Sequence, residues 1–175
     1  MKWALLLLAQ AVWFAAVLLG AAWALPLTLA QLALLPFAPA LRFPPLVYVV
    51  IIITGLAVDY FLQAMQWIAF RPDPLFADLP LPLPVWLIVL WCSFALTVKP
   101  LSELVSSSFL RALLFAGGGA AAYYAGARLG AAEILNYYAY FSVLTFIWMI
   151  FPGLWLWFAS RFSANSSGSV SAPSS

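Results

Sequence analysis

The 175-residue chain has no histidine and a single cysteine, Cys92. Without histidine there is no Ser-His or Cys-His nucleophile, no HExxH zinc helix and no imidazole proton relay. One cysteine excludes an intramolecular disulfide framework and a cysteine-rich metal site. Charge is scarce as well: seven Lys and Arg with five Asp and Glu make 7% of the residues, where a soluble domain carries about a quarter. The net charge of +2 is too small and too dispersed to suggest a nucleic-acid partner. No metal, cofactor or catalytic set is therefore expected. Acid–base chemistry would have to rest on Asp59 and Glu133 alone.

What fills the chain instead is hydrocarbon. Hydrophobic residues make up 67% of it, with a mean hydropathy of +1.08. Too few polar side chains remain to cover a water-facing exterior, so the lipid bilayer is the expected solvent. A spanning helix needs about 20 apolar residues. Breakers and charges divide the chain into six such segments, near 3–20, 22–40, 46–66, 84–99, 104–128 and 136–159. The second contains Pro26 and Pro36 and should be irregular. The third holds the run VYVVIIITGL, whose β-branched residues would favour a strand in water. In lipid a lone strand leaves backbone groups unpaired, so this segment must be helix. The fourth is short and should stop at Lys99-Pro100. The fold class expected is all-α: a polytopic transmembrane helix bundle with six spans.

Met1-Lys2, the apolar run and AAWA before Leu25 imitate a secretory signal. The run from Trp3 to Leu19 is longer than the usual signal core and includes Gln10, which favours a retained helix. The positive-inside rule orients the six spans. With the N-terminus inside, Lys2, Arg42, Lys99, Arg111 and Arg161 fall at inner ends, and Arg71 and Arg128 at outer ends. Both termini should then be cytoplasmic (N-in/C-in). Residues 1–162 form one transmembrane domain, and SANSSGSVSAPSS, residues 163–175, reads as a disordered cytoplasmic tail. FRPDPLFADLPLPLP, residues 70–84, has five prolines and should be an extended loop on the outer membrane surface.

One aspartate interrupts the oil. In TGLAVDYFLQAMQ, Asp59, Gln63 and Gln66 follow i, i+4, i+7 spacing and share a helix face. A carboxylate near the bilayer centre costs about 2.5–3.5 kcal/mol on insertion scales, so it should face the interior or water. Arg128 ends the fifth segment on the same outer side, and Glu133 and Asn136 open the sixth at that level. These six residues form a candidate intramembrane polar cluster with three open readings. Asp59 pairs with Arg128 while the glutamines bond across helices; or the cluster is a solute or proton site open to the outside; or the carboxyl is simply protonated. Gln10 and Gln31 could extend either of the first two. In FAGGGAAAYYAGARLGA, Gly118, Ala122, Gly126 and Gly130 recur every four residues, a small-residue stripe for close helix packing. Trp3, Trp67, Trp86, Trp155 and Trp157, with Tyr123, Tyr124, Tyr137 and Tyr138, read as an interfacial belt; Trp13 and Trp91 read as interior.

QAVWFAAVLLG, the Gly55…Asp59 pair, PVWLIVLWCSFALT at 84–97 and GGGAAAYYAGARLGA at 117–131 occur in one order. In this the chain resembles domain-of-unknown-function family 2878, small bacterial inner-membrane proteins, over nearly its whole length. The resemblance implies a bacterial inner-membrane location and brings no activity. The function expected is a non-catalytic accessory in envelope or lipid homeostasis, with the bilayer and another membrane protein as partners. The alternative is a small-solute or proton-coupled transporter or channel using the outer-leaflet polar cluster around Asp59.

Overall fold

The computed structural model describes residues 1–104 and 108–167. Six helices follow the segments expected from hydropathy: α1 (Lys2–Leu19), α2 (Ala21–Leu34), α3 (Pro45–Ala64), α4 (Val85–Ser102), α5 (Ser108–Arg128) and α6 (Tyr137–Ser167). Among the described residues four stretches are long and apolar enough to cross a membrane: Lys2–Leu19, Pro39–Ala64, Val85–Ser102 and Tyr137–Arg161. α2 has 14 residues and passes at Pro36 into two single-turn 3₁₀ helices, Leu35–Phe37 and Pro39–Leu41. α5 reaches 21 residues but is less apolar than the others, because glycines replace hydrocarbon at its centre.

α3 is helical despite its β-branched run, and Pro45 at its first position supplies a preset helical φ. α4 does not stop at Lys99-Pro100 but continues to Ser102. Pro100 in the last turn removes only the amide bond to Leu96 O. Around it Thr97 Oγ1 donates to Phe94 O and Ser102 Oγ to Lys99 O. α6 runs to Ser167, into the segment expected as a tail, and residues 168–175 lie outside the described residues.

An all-α reading leaves out one feature, a short two-stranded ribbon. α3 ends with Gln66 in the left-handed region (φ 57°). Its N–H bonds Gln63 O at 2.9 Å, and Trp67 N–H bonds Leu62 O at 3.0 Å. α5 ends in the same way at Gly130 (φ 80°), with Gly130 N–H on Ala127 O and Ala131 N–H on Gly126 O. Both are Schellman stops, which satisfy the last helical carbonyls. Each delivers the chain into a three-residue strand, β1 (Ile68–Phe70) or β2 (Ala132–Ile134), and the two strands pair antiparallel about Ala69–Glu133. The same sequence interval separates Gly55 from Gly119, Asp59 from Tyr123, Gln66 from Gly130 and Ile68 from Ala132. A helix–stop–strand unit is thus used twice.

The proline-rich segment is anchored rather than uniformly extended. Asp73 is buried and accepts four backbone N–H bonds. Its Oδ2 takes Ala21 (2.9 Å) and Trp86 (3.1 Å), and its Oδ1 takes Leu75 (3.0 Å) and Phe76 (3.3 Å). One carboxylate thereby serves the orphan amides of two helix N-termini, α2 and α4, where the helix dipoles also favour a negative charge. The α1–α2 turn, the 71–76 segment and the start of α4 meet at one end of the bundle. Deeper in, Gln31 of α2 is buried, receives Ser93 Oγ at 2.6 Å and donates toward Leu5 O and Ser93 O. It binds α1, α2 and α4 together.

Candidate functional site

Asp59 sits on α3 with no exposed surface. Two side chains donate to it: Trp91 Nε1 from α4 at 2.6 Å, on Oδ2, and Tyr123 OH from α5 at 2.5 Å, on Oδ1. Glycines let these aromatics come close. A Cβ on Gly55, one turn before Asp59, would collide with the Trp91 ring; one on Gly119, one turn before Tyr123, would collide with Trp148 of α6. Trp91 and Trp148 stack with ring centroids 5.8 Å apart and planes 10° from parallel. Trp155 meets both edge-on and donates its own N–H to Thr54 Oγ1 at 3.0 Å. Tyr140 packs edge-on against Tyr123, and its buried hydroxyl makes no hydrogen bond.

Arg128 is not the partner of Asp59. Its side chain is exposed at the end of α5 and makes no ion pair among the described residues, whereas Lys99 and Glu103 pair at 3.0 Å. Asp59 does face the interior, but its buried surroundings supply neutral ring donors rather than a guanidinium. Gln63 Nε2 bonds Pro82 O at 2.8 Å and ties α3 to the proline-rich segment. Gln66 is the left-handed residue of the α3 stop and is exposed. Glu133 lies exposed on β2, opposite Ala69. Asn136 caps α6, its Oδ1 accepting Ala139 N–H at 3.1 Å. Asp59 and Gln63 share α3, but the structure gathers the six residues into no single cluster. Of the aromatic belt, Trp86 and Trp155 are buried instead, because each finds an acceptor inside: Arg71 O and Thr54 Oγ1.

The larger feature is a groove of about 980 Å³ between α1, α4 and α5. One wall is α1 from Leu6 to Val17, another is α4 from Trp86 to Leu101, and the third is α5 from Leu114 to Arg128. Its size lies at the top of the range for ligand sites, about 300–1,000 Å³. Trp91 and Tyr123 line it, and Asp59 stands behind them, fixing both rings by their polar atoms. Gly118, Ala122 and Gly126 face it too, with open space beside Gly118 and Val17 of α1 4.0 Å from a Cβ on Gly126. Gly130 lies past the helix end with open space around it. The stripe therefore opens room along α5 rather than closing it. Gln10 lines the groove halfway down α1 and makes no hydrogen bond among the described residues.

Chemically the site is a slot for hydrocarbon with a sequestered carboxylate at its back. Among the described residues no group of three His, Cys, Asp or Glu could hold a metal. The residues that sequence reasoning missed are Asp73, Trp91 as a donor, and Tyr123. The Asp-Pro of RPDPLF was a visible turn signal for the first.

A mostly helical bundle with four membrane-length apolar stretches and an apolar groove defines the class. The chain belongs to the protein-of-unknown-function family DUF2878, which matches residues 2–154. No curated protein and no solved structure is found to match it.

Proposed function

We propose that this is a six-span bacterial inner-membrane protein with cytoplasmic termini, acting without catalysis in envelope or lipid homeostasis by holding a lipid chain in the groove. The observation that carries the reading is the groove itself: about 980 Å³, walled by apolar and aromatic side chains and by glycine backbone. In a bilayer such a space is open to acyl chains, which are apolar and flexible enough to fill it. The non-catalytic reading is supported by the placement of Asp59, whose two donors, Trp91 and Tyr123, are engaged in holding it behind the groove wall. The orientation rests on the bias of Lys2, Arg42, Lys99, Arg111 and Arg161 against Arg71 and Arg128.

A transporter remains the second reading, favoured by one observation, the fully buried Asp59 beside the unbonded Tyr140 hydroxyl. Native mass spectrometry of the detergent-purified protein separates the two. Retained adducts of phospholipid mass, lost in Gly118→Phe, support the lipid reading. An adduct-free protein stabilised by a small polar solute supports the transporter.

A further inference from the structure

Among its lining residues the groove carries charge at one end only. Arg128, the last residue of α5, lines it there, next to Val17 of α1 and Ala131 and Ala132 beyond α5. A second guanidinium reaches the same end: Arg71 donates through Nη2 to Val17 O at 2.8 Å, and its own N–H bonds Ala131 O at 2.8 Å. The Arg71 Nε is buried and has no hydrogen-bond partner. Neither arginine is in an ion pair among the described residues. Of the carboxylates nearest in sequence, Asp73 has both oxygens on backbone amides, and Glu133 lies exposed on β2 with neither arginine in an ion pair to it among the described residues. Arg128 on the groove wall, with Arg71 held against Val17 at the same end, makes that mouth cationic, the complement of a phosphate with a hydrocarbon tail.

The rest of the slot fits such a molecule in order. From Leu114 to Arg128 the α5 wall runs about 20 Å at helical rise, long enough for an extended acyl chain. Gln10 lies two turns below Val17, about 10 Å deeper, with its amide unbonded. In a glycerophospholipid the ester linkages follow the phosphate toward the chains, as Gln10 follows Arg128 into the groove. Beyond Gln10 the lining is Leu6, Phe94, Leu101, Leu114 and Phe115.

We propose that the groove binds an anionic glycerophospholipid, its phosphate at Arg128 with Arg71 adding positive charge behind Val17, its ester at Gln10 and one acyl chain along α5. This rests on the lipid-holding reading above and adds the headgroup charge and the direction of insertion. The test is native mass spectrometry of the full chain from mixed micelles containing equal phosphatidylglycerol and phosphatidylcholine. Wild type should carry phosphatidylglycerol several-fold over phosphatidylcholine. Arg128→Gln should bring the two toward parity while still carrying lipid, and Arg128→Lys should keep most of the preference. Gly118→Phe should lose both adducts. Equal loading of the two lipids on wild type would overturn the headgroup assignment and leave the groove reading standing. Absence of any lipid adduct would overturn both, and a lipid-free dimer would mean that a second copy fills the groove.

Discussion

Trp91 both holds Asp59 and covers Gly55. Its indole N–H donates to Asp59 Oδ2 at 2.6 Å, while its ring occupies the space a Cβ on Gly55 would need. The two α3 residues are one turn apart, so a single tryptophan is fixed at its polar atom and at its face. Tyr123 completes the arrangement from α5. The carboxylate is thus a positioning residue for two aromatic walls of the groove.

Replacing Asp59 by Asn keeps one acceptor and turns an amide donor toward the other ring. One buried donor is left unsatisfied, at a cost of about 1–3 kcal/mol. Because Arg128 is exposed and unconnected to Asp59, Arg128→Gln should not rescue the loss. Thermal melts in detergent of both single variants and the double should show additive effects, within about 0.5 kcal/mol. Recovery in the double variant would restore the ion pair as the explanation.

Gly119→Ala and Gly55→Ala should lower the melting temperature clearly, since each new methyl meets a tryptophan ring. Gly118→Ala meets nothing within 4 Å and gains helix propensity, about 1 kcal/mol at most. Neighbouring glycines of one run should therefore respond with opposite sign. Equal melting temperatures for Gly118→Ala and Gly119→Ala would contradict the placement of Trp148.

The six helices and the interior position of Asp59 were legible in the sequence, because hydropathy and i, i+4 spacing act locally along the chain. Its partners were not legible. Which helix stands beside α3 is a tertiary outcome, and Trp91 looked like filler until its N–H had a direction. The charge of Arg128 suggested an ion pair, but charge alone does not place a side chain at the centre of a bundle. β1 and β2 escaped for a similar reason: three residues carry no periodicity, and their pairing depends on two helix stops far apart in sequence. Asp73 stood in a proline-rich stretch that read as passive loop.

Asp73→Ala should be among the most damaging single changes outside the hydrophobic core. It removes the acceptor for four amides and frees the starts of α2 and α4 together. Loss of about 3 kcal/mol or more is expected, the scale of breaking a buried network. Limited proteolysis between residues 71 and 84 reports it directly: the variant should be cut far faster than wild type, and an unchanged rate would refute the clamp.

Tyr140→Phe removes a buried hydroxyl that bonds nothing. It should leave stability unchanged or raise it slightly, since an unsatisfied polar group costs about 1–3 kcal/mol. A marked loss would mean that the hydroxyl is engaged, as a proton path through Tyr123 and Asp59 would require.

The most direct test of the lipid-holding groove is photolabelling with phosphatidylglycerol bearing a diazirine on its acyl chain, followed by peptide mapping. The account predicts saturable labelling of groove residues, Leu6 to Trp13 on α1 and Gly118 to Ala125 on α5, competed by unlabelled lipid and abolished by Gly118→Phe. Labelling spread evenly over outward residues such as Leu7, Phe109 and Phe146, unaffected by competitor or by Gly118→Phe, would contradict it.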